Sequence, residues 1–183
     1  MSQLSFLIVL LCAGTVLAVR NKLILENCGG ANDVIQMKHL SITPMPITIP
    51  GNLIISANVT VTRDLSAKTK INVKLYKQTK VIFPIDIKIP CIKNAGSCSY
   101  DGCSLISLTK GVICDFFPKN VECACPFKAG KYGTVNYTVK IPSASGIITW
   151  LAKGDYKAEV RIQDESSNKQ LGCFRALLSL GKK

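Results

Sequence analysis

The chain has 183 residues, of which 48% are hydrophobic and 19% are charged. This composition excludes intrinsic disorder, which requires low hydrophobicity, and the length fits a single domain. Lysine and arginine together number 23 against 11 acidic residues, so the formal net charge is +12. The single histidine argues against a metalloenzyme that relies on histidine ligands.

The N-terminal segment has the pattern of a secretory signal peptide. Residues 6–17 are almost wholly apolar, and this run is shorter than the roughly 20 residues that span a bilayer. It ends at Ala18, a small residue of the kind found at signal-peptidase sites, and the chain becomes polar from Arg20. We therefore expect residues 1–18 to be removed and residues 19–183 to form one domain; a short membrane anchor is the alternative.

Removal of the signal peptide would delete Cys12 and leave an even number of cysteines. An even set in an exported chain predicts a disulfide framework. The alternative is zinc, but Cys123 and Cys125 are closer in sequence than the usual Cys-x2-4-Cys ligand pairs. The sequence by itself leaves many connectivities open. The remaining cysteines are Cys28, Cys91, Cys98, Cys103, Cys114, Cys123, Cys125 and Cys173.

Several segments of the remaining chain alternate apolar and polar residues, which predicts strands with one buried face. Residues 174–180 are also strand-like, whereas a helix is expected only as a turn or two near residues 103–110. Short strands joined by turns predict an all-β fold, an antiparallel β-sandwich. The apolar sets are Leu53, Ile55, Ala57, Val59 and Val61; Ile71, Val73 and Leu75; Ile85, Ile87 and Ile89; Val135, Tyr137, Val139 and Ile141; and Tyr156, Ala158, Val160 and Ile162.

No catalytic constellation is visible in the sequence. His39 is the only histidine and has no neighbouring acid, and the sequence has neither a Gly-x-Ser-x-Gly elbow nor a His-Glu-x-x-His motif. Asp164 and Glu165 are followed by serines and an asparagine, which is typical of a solvated hairpin turn. The sequence therefore predicts no enzyme activity, no catalytic residue, no metal and no cofactor.

The positive charge has three interpretations: attraction to nucleic acid, attraction to an anionic membrane surface, or solubility. The lysines are scattered and are not interleaved with aromatic residues, and the chain is predicted to be exported, so nucleic acid is not an expected partner. An anionic membrane surface and plain solubility both remain open.

Two sequons, Asn58-Val59-Thr60 and Asn136-Tyr137-Thr138, predict N-linked glycans at Asn58 and Asn136. Each asparagine alternates with the apolar residues of its own segment. Because a glycan is bulky and must face solvent, this placement agrees with the strand pattern.

A series of short motifs around the cysteines resembles the ganglioside activator proteins of the ML lipid-recognition superfamily. The resemblance runs in order over nearly the whole mature chain, although residues 110–122 depart from it. The matching motifs are Asn27-Cys28, Pro50-Gly51-Asn52, Lys88-Ile89-Pro90-Cys91, Gly96-Ser97-Cys98, Cys123-Ala124-Cys125-Pro126-Phe127-Lys128, Trp150-Leu151 and Leu171-Gly172-Cys173.

The resemblance implies an immunoglobulin-like sandwich, or β-cup, whose sheets part to hold lipid chains. It implies a non-enzymatic carrier that takes a glycolipid, or another lipid such as a phospholipid, from a membrane and presents it to a soluble glycolipid hydrolase. In the family this occurs in lysosomes and outside cells. The implied disulfides are Cys28–Cys173, Cys91–Cys98, Cys103–Cys125 and Cys114–Cys123.

Residues 145–153 are expected to touch the membrane and to gate the lipid cavity. Ile147, Ile148, Trp150 and Leu151 do not fit a strand alternation, and tryptophan favours the boundary between water and lipid. Trp150-Leu151 also matches an apolar rim loop of the family; the alternative is that Trp150 anchors the core. At the level of function, the alternatives are a secreted signalling or defence protein that recognises a lipid, and a hydrolase.

Overall fold

The computed structural model describes residues 20–80, 84–141 and 153–181. No helix in these ranges is long and apolar enough to cross a membrane. The described elements are β1 (Ile24–Asn27), β2 (Ile35–Thr43), β3 (Ile47–Thr48), β4 (Gly51–Val61), β5 (Thr69–Lys80), β6 (Pro84–Ile89), β7 (Ser99–Asp101), α1 (Gly102–Ile113), a 3-10 turn (Cys114–Phe116), β8 (Gly130–Ile141), β9 (Gly154–Asp164) and β10 (Gln170–Gly181).

The strands form two sheets, as the all-β prediction requires. The larger sheet has the order β1-β10-β9-β5-β6, and the smaller has the order β2-β4-β8. In the larger sheet β3 pairs with β10 and β7 pairs with β5. All pairs are antiparallel except the short β3–β10 pair. The prediction of an antiparallel β-sandwich is confirmed.

The alternation on β4 correctly gives its buried face. Leu53 and Val61 are buried, whereas Ile54 between them in the pattern is 42% exposed on the other face. The prediction for β8 is wrong at Val135, which is 80% exposed. The β4–β8 pairing shifts between Ile55 and Ala57, and Asn136 has a φ of 54°. This bulge turns Val135 away from the apolar set that contains Tyr137.

Helix α1 is longer than the turn or two that the sequence predicts. The Asp101 side chain caps it by accepting a hydrogen bond of 2.7 Å from the Ser104 backbone N–H, and this bond lowers the pKa of Asp101. Ile106 is 2% exposed, so one side of the helix is buried. Disulfides at Cys103 and Cys114 hold both ends.

The eight cysteines of the described ranges form four disulfides. Cys28–Cys173 joins the end of β1 to β10, and Cys91–Cys98 closes the excursion between β6 and β7. The other two fasten α1 and the turn after it to residues 123–125. The pairs are Cys28–Cys173, Cys91–Cys98, Cys103–Cys125 and Cys114–Cys123, the same pairs that the family resemblance implies.

A charge network covers one face of the larger sheet. Glu159 accepts hydrogen bonds from Arg161 at 2.8 Å and from Arg175 at 3.2 Å, and Arg175 also donates to Glu26 at 3.1 Å. The hydrogen bond from Arg161 is the main reason that the pKa of Glu159 is lowered. This charged face is the outer face of the sandwich.

The inner faces meet in one packed cluster at one end of the sandwich. Gly172 allows the closest approach, because a Cβ built there would lie 3.1 Å from the Cβ of Ile35 on the smaller sheet. The buried members of the cluster are Val34, Ile35, Val61, Leu65, Tyr132, Leu171 and Phe174. We call this set the closed end.

The disulfides should differ in their effect on stability according to the loops that they close. Replacing both Cys28 and Cys173 by alanine opens a span of 145 residues, whereas replacing Cys114 and Cys123 opens one of 9. The loop-entropy relation gives losses of about 5 and about 2.6 kcal/mol in the free energy of unfolding. Denaturant titration measures both, and equal losses would contradict the dependence on loop length.

Candidate lipid-binding site

The inner faces of both sheets can be traced from the strand register. Phe174 belongs to the closed end, and Ile162 packs against it. The residues on the same face of the larger sheet as these two, opposite its charged outer face, therefore point inward. Ile71 pairs with Ile162, and Val73 pairs with Val160. On the smaller sheet, Val59 pairs with Tyr132. The two apolar faces that the alternation predicts therefore face each other.

Aromatic rings fill the closed end. Phe117 stacks on Phe127 with ring centroids 5.4 Å apart and meets Tyr132 edge-on at 5.0 Å. The Tyr132 hydroxyl donates to the backbone oxygen of Lys128 at 2.7 Å, and burial raises its pKa. Phe117 comes from the part of the chain that departs from the family pattern, and the structure uses it as a core residue.

In the middle of both sheets, the inner faces are only partly buried. In a sandwich whose sheets touch, facing side chains interdigitate and are shielded from solvent. Here the apolar residues in the middle of both sheets keep part of their surface exposed, which indicates that the two faces pack less closely there than at the closed end. On the larger sheet these residues are Val73, Leu75, Ala158, Val160, Ala176 and Leu178, and on the smaller sheet Leu40, Ile42, Ile55, Ala57, Tyr137 and Val139.

Two parts of the chain, β3 on one edge and α1 with the turn after it on the other, connect the two sheets. On one edge β3 pairs with β10 of the larger sheet and leads directly into β4 of the smaller sheet, and Ile47 is buried there. On the other edge α1 begins against β5 and the turn after it reaches β8, where Phe116 packs edge-on against Tyr137 at 5.6 Å. The Tyr137 hydroxyl also lies 3.5 Å from the Gly111 carbonyl oxygen, and its hydrogen bond with Asp115 raises its pKa.

Strand β6 gives the interior an exposed side. Ile85, Ile87 and Ile89 alternate onto the inner face, opposite Thr79, Lys77 and Leu75. Ile89 is only 5% exposed, but Ile87 is 52% and Ile85 is 54% exposed. We call the surface of Ile85 and Ile87 the open side. It is a stretch of inner wall that no described residue covers.

The interior has the dimensions and chemistry of a lipid-tail site. Phe174 at the closed end and Leu180 are six positions apart on β10, which corresponds to about 20 Å at 3.3 Å per residue. One lipid tail spans about half of the 30 Å hydrocarbon core of a bilayer. Each methylene that moves from water into such an interior gains about 0.8 kcal/mol. The length of this apolar inner face therefore matches that of an acyl chain.

Some of the predicted site residues lie outside the described ranges, and others lie on the outer face of the smaller sheet. Ile147, Ile148, Trp150 and Leu151 lie outside the described residues. Asn58 and Asn136 are both exposed on the outer face of the smaller sheet, where the Asn136 backbone N–H donates to Ser56 Oγ at 2.9 Å. His39 is exposed on the same face, opposite Asn58. In the described ranges no cluster of His, Cys, Asp and Glu could hold a metal ion.

One residue of the interior escaped the sequence analysis. Lys77 lies on the inner face of β5, two positions beyond Leu75 and directly opposite Tyr156. Extending the alternation of Ile71, Val73 and Leu75 by one step would have placed it there. A charged residue does not belong to an apolar set, so the alternation by itself predicts no inner-face residue beyond Leu75.

The comparisons with known proteins agree with this geometry. Residues 22–180 match the model of the ML domain family, and the chain belongs to that family. Its members are lipid-binding proteins without enzymatic activity. The chain is thus a non-enzymatic lipid-recognition protein, and the predicted absence of enzyme activity is confirmed by this membership.

Among curated proteins, the chain is similar to two ganglioside activators. It is 33% identical over 165 residues to "Ganglioside GM2 activator" of Mus musculus, covering 85% of this chain and 80% of that protein. It is 30% identical over 160 residues to the protein of the same name from Macaca fascicularis, covering 85% of this chain and 81% of that protein.

Two solved structures also align with the chain. A Niemann-Pick type C2 protein from Japanese carpenter ant aligns with a TM-score of 0.45 and 14% identity, over 86% of this chain and 99% of that one. Chicken MD-1 complexed with lipid IVa aligns with a TM-score of 0.44 and 13% identity, over 88% of this chain and 91% of that one.

Two substitutions on β10 should distinguish packed from parted regions of the inner face. Phe174→Ala removes a ring from the closed end and should cost about 3–5 kcal/mol in the free energy of unfolding. Leu178→Ala, four positions further along, should cost less than about 2 kcal/mol, the lower limit for a leucine in a packed core. Denaturant titration of the lipid-free protein provides both values. A cost for Leu178→Ala in the full core range would mean that the sheets touch there.

Proposed function

We propose that the protein extracts a glycosphingolipid or a related lipid from a membrane and presents its headgroup to a soluble hydrolase. The observation that carries the proposal is the partial exposure of apolar inner faces in the middle of both sheets. An unfilled apolar interior is costly unless a hydrophobic ligand occupies it. In this role the protein performs no chemistry itself: it holds the tail, and the headgroup remains accessible to the enzyme.

The curated relatives support the choice of lipid class. Both carry the name "Ganglioside GM2 activator", which describes a protein that acts with a ganglioside. Identity of about one third extends over most of this chain. On the basis of this similarity, we propose a glycosphingolipid as the ligand and a glycolipid hydrolase as the partner enzyme.

Export of the chain fits this role. Four disulfides form stably in oxidising compartments, which indicates the secretory pathway. We propose that residues 1–18 are its signal peptide and that it works outside the cell or in the lysosomal lumen. Glycans at Asn58 and Asn136 would stand on the outer face of the smaller sheet, away from the interior and from the open side.

The segment between β8 and β9 is our candidate for the membrane contact. Residues 142–152 link the smaller sheet, which the chain leaves at Ile141, to the larger sheet, which it joins again at Gly154. The described residues on its two sides therefore belong to opposite walls of the interior. The segment contains Ile147, Ile148, Trp150 and Leu151, and we propose that these side chains enter the membrane surface while lipid passes into the interior.

A lipid-extraction assay with wild-type protein and Trp150→Ala tests this function. The wild type should move a labelled glycosphingolipid from vesicles into a soluble complex and raise its hydrolysis by a soluble glycosidase. Trp150→Ala should slow extraction several-fold and leave the melting temperature almost unchanged, because a ring that contacts lipid contributes little to folding. Phe174→Ala is the control for a buried aromatic residue.

Charge provides a second readout in the same assay. Extraction from anionic vesicles should be faster than from zwitterionic ones and should slow as salt rises, since the Debye length falls from about 10 Å at 0.1 M to about 3 Å at 1 M. Soluble lipid complexes without transfer between vesicles would favour a receptor-binding signalling or defence protein. A loss of several kcal/mol in Trp150→Ala would place Trp150 in the core and contradict the membrane contact.

A further inference from the structure

Lys77 is a cation on an otherwise apolar wall. On β5 it follows Ile71, Val73 and Leu75 on the inner face, and it pairs with Ile87 on β6 and with Tyr156 on β9. Among the described residues, no other inner-face position of β5, β6 or β9 between these residues and the open side is charged.

The position of Lys77 marks the transition between the open side and the interior. Its neighbour on one side, Ile87, is 52% exposed, and its neighbour on the other, Tyr156, is 1% exposed. Lys77 itself is half-buried. A Cβ built on Gly154 would lie 3.4 Å from the Lys77 Cε, so the lysine side chain extends across β9 at a place where that strand has no side chain.

Among the described residues, no side-chain carboxylate pairs with this ammonium group. All 11 acidic residues of the chain lie in the described ranges, and neither an ion pair nor a hydrogen bond joins Lys77 to any side chain there. The acids of the adjacent strands are used on the outer face. Asp86 pairs with Lys157, and Glu159 pairs with Arg161 and Arg175.

We propose that Lys77 binds an acidic group of the lipid ligand. This inference rests on the proposed function and specifies the ligand: a lipid with a negative charge close to its apolar chains, as a sulfate on the first sugar or as a phosphate. Lys77 has no partner among the described side chains, so an anion delivered with the tail would form a charge-assisted hydrogen bond with a donor that is otherwise unused. An acid several sugars away from the tail would lie beyond the reach of Lys77, because the lysine is attached to the inner wall.

The test compares matched lipids in binding to the full mature protein. Vesicles of phosphatidylcholine carry a trace of either sulfatide or galactosylceramide, which differ only in the sulfate. A second pair uses phosphatidic acid and diacylglycerol, which differ only in the phosphate. The variants are Lys77→Met, Lys77→Gln and Lys77→Arg, with Lys88→Met as the control. Lys88 is exposed on the outer face of β6, and its replacement lowers the net charge by the same amount.

We expect the wild type to prefer the acidic member of at least one pair. Lys77→Met and Lys77→Gln should weaken its binding about tenfold, the effect of removing one charge-assisted hydrogen bond, and should leave binding of the neutral member unchanged. Lys77→Arg and Lys88→Met should retain the preference. A preference in the first pair identifies a sulfated sugar as the acidic group, and one in the second pair identifies a phosphate.

Three results would overturn the inference. The first is equal binding of acidic and neutral lipids by the wild type. The second is a loss in Lys88→Met as large as that in Lys77→Met, which would assign the effect to bulk charge. In both cases the proposed lipid-transfer function stands. The third is a wild type that binds none of the four lipids, which would remove the proposed function together with this inference.

Discussion

Two apolar sheet faces that pack closely at one end and remain partly exposed in the middle are the feature on which the rest of this structure depends. Side chains that face a gap lose dispersion contacts on one side, and apolar surface left in water forfeits about 25 cal/mol for each Å². A sandwich of this kind would gain stability by collapsing. It remains parted because the chain fixes the distance between its sheets elsewhere.

The fixed points are at the closed end and along the edges. The aromatic rings of Phe117, Phe127 and Tyr132 contact one another and join the packed cluster that contains Leu171 and Phe174 of the larger sheet. Helix α1 is fastened by disulfides at Cys103 and Cys114 and acts as a spacer on one edge. Between these supports the walls need only be apolar, and a lipid tail can supply the contacts that the opposite sheet does not make.

The distribution of charged residues differs between the outer and inner faces of the sheets. The outer face of the larger sheet combines Glu159, Arg161 and Arg175 into a network, so its charges neutralise one another. The smaller sheet carries no acidic residue in β2, β4 or β8 and contributes to the net positive charge. Among the described residues, the inner face of the larger sheet carries one cation, Lys77, at the boundary between exposed and buried wall.

Period-two patterns made most of this fold predictable, and their interruptions explain what was missed. The alternation from Leu53 to Val61 correctly gave β4 and its buried face. Strand β2 was not predicted, because its register shifts between Met37 and His39 and the shift breaks the alternation. The helix was underestimated because it packs against β5, which is distant from it in sequence.

The interior itself could not be read from the sequence, because the pattern shows which residues face inward but not how far away the opposite sheet lies. Val73 and Val61 have the same place in their alternations, yet only Val61 is buried. The difference arises from tertiary spacing, which the family resemblance implied and local periodicity did not.

Native mass spectrometry of the protein purified from secreting cells without added lipid tests most directly whether a lipid occupies the space between the sheets. We expect a population whose mass exceeds that of the glycosylated chain by the mass of one lipid. This lipid should be released when the protein is unfolded. A bare chain that also takes up no lipid from vesicles would contradict the claim that the space between the sheets is a lipid-binding site.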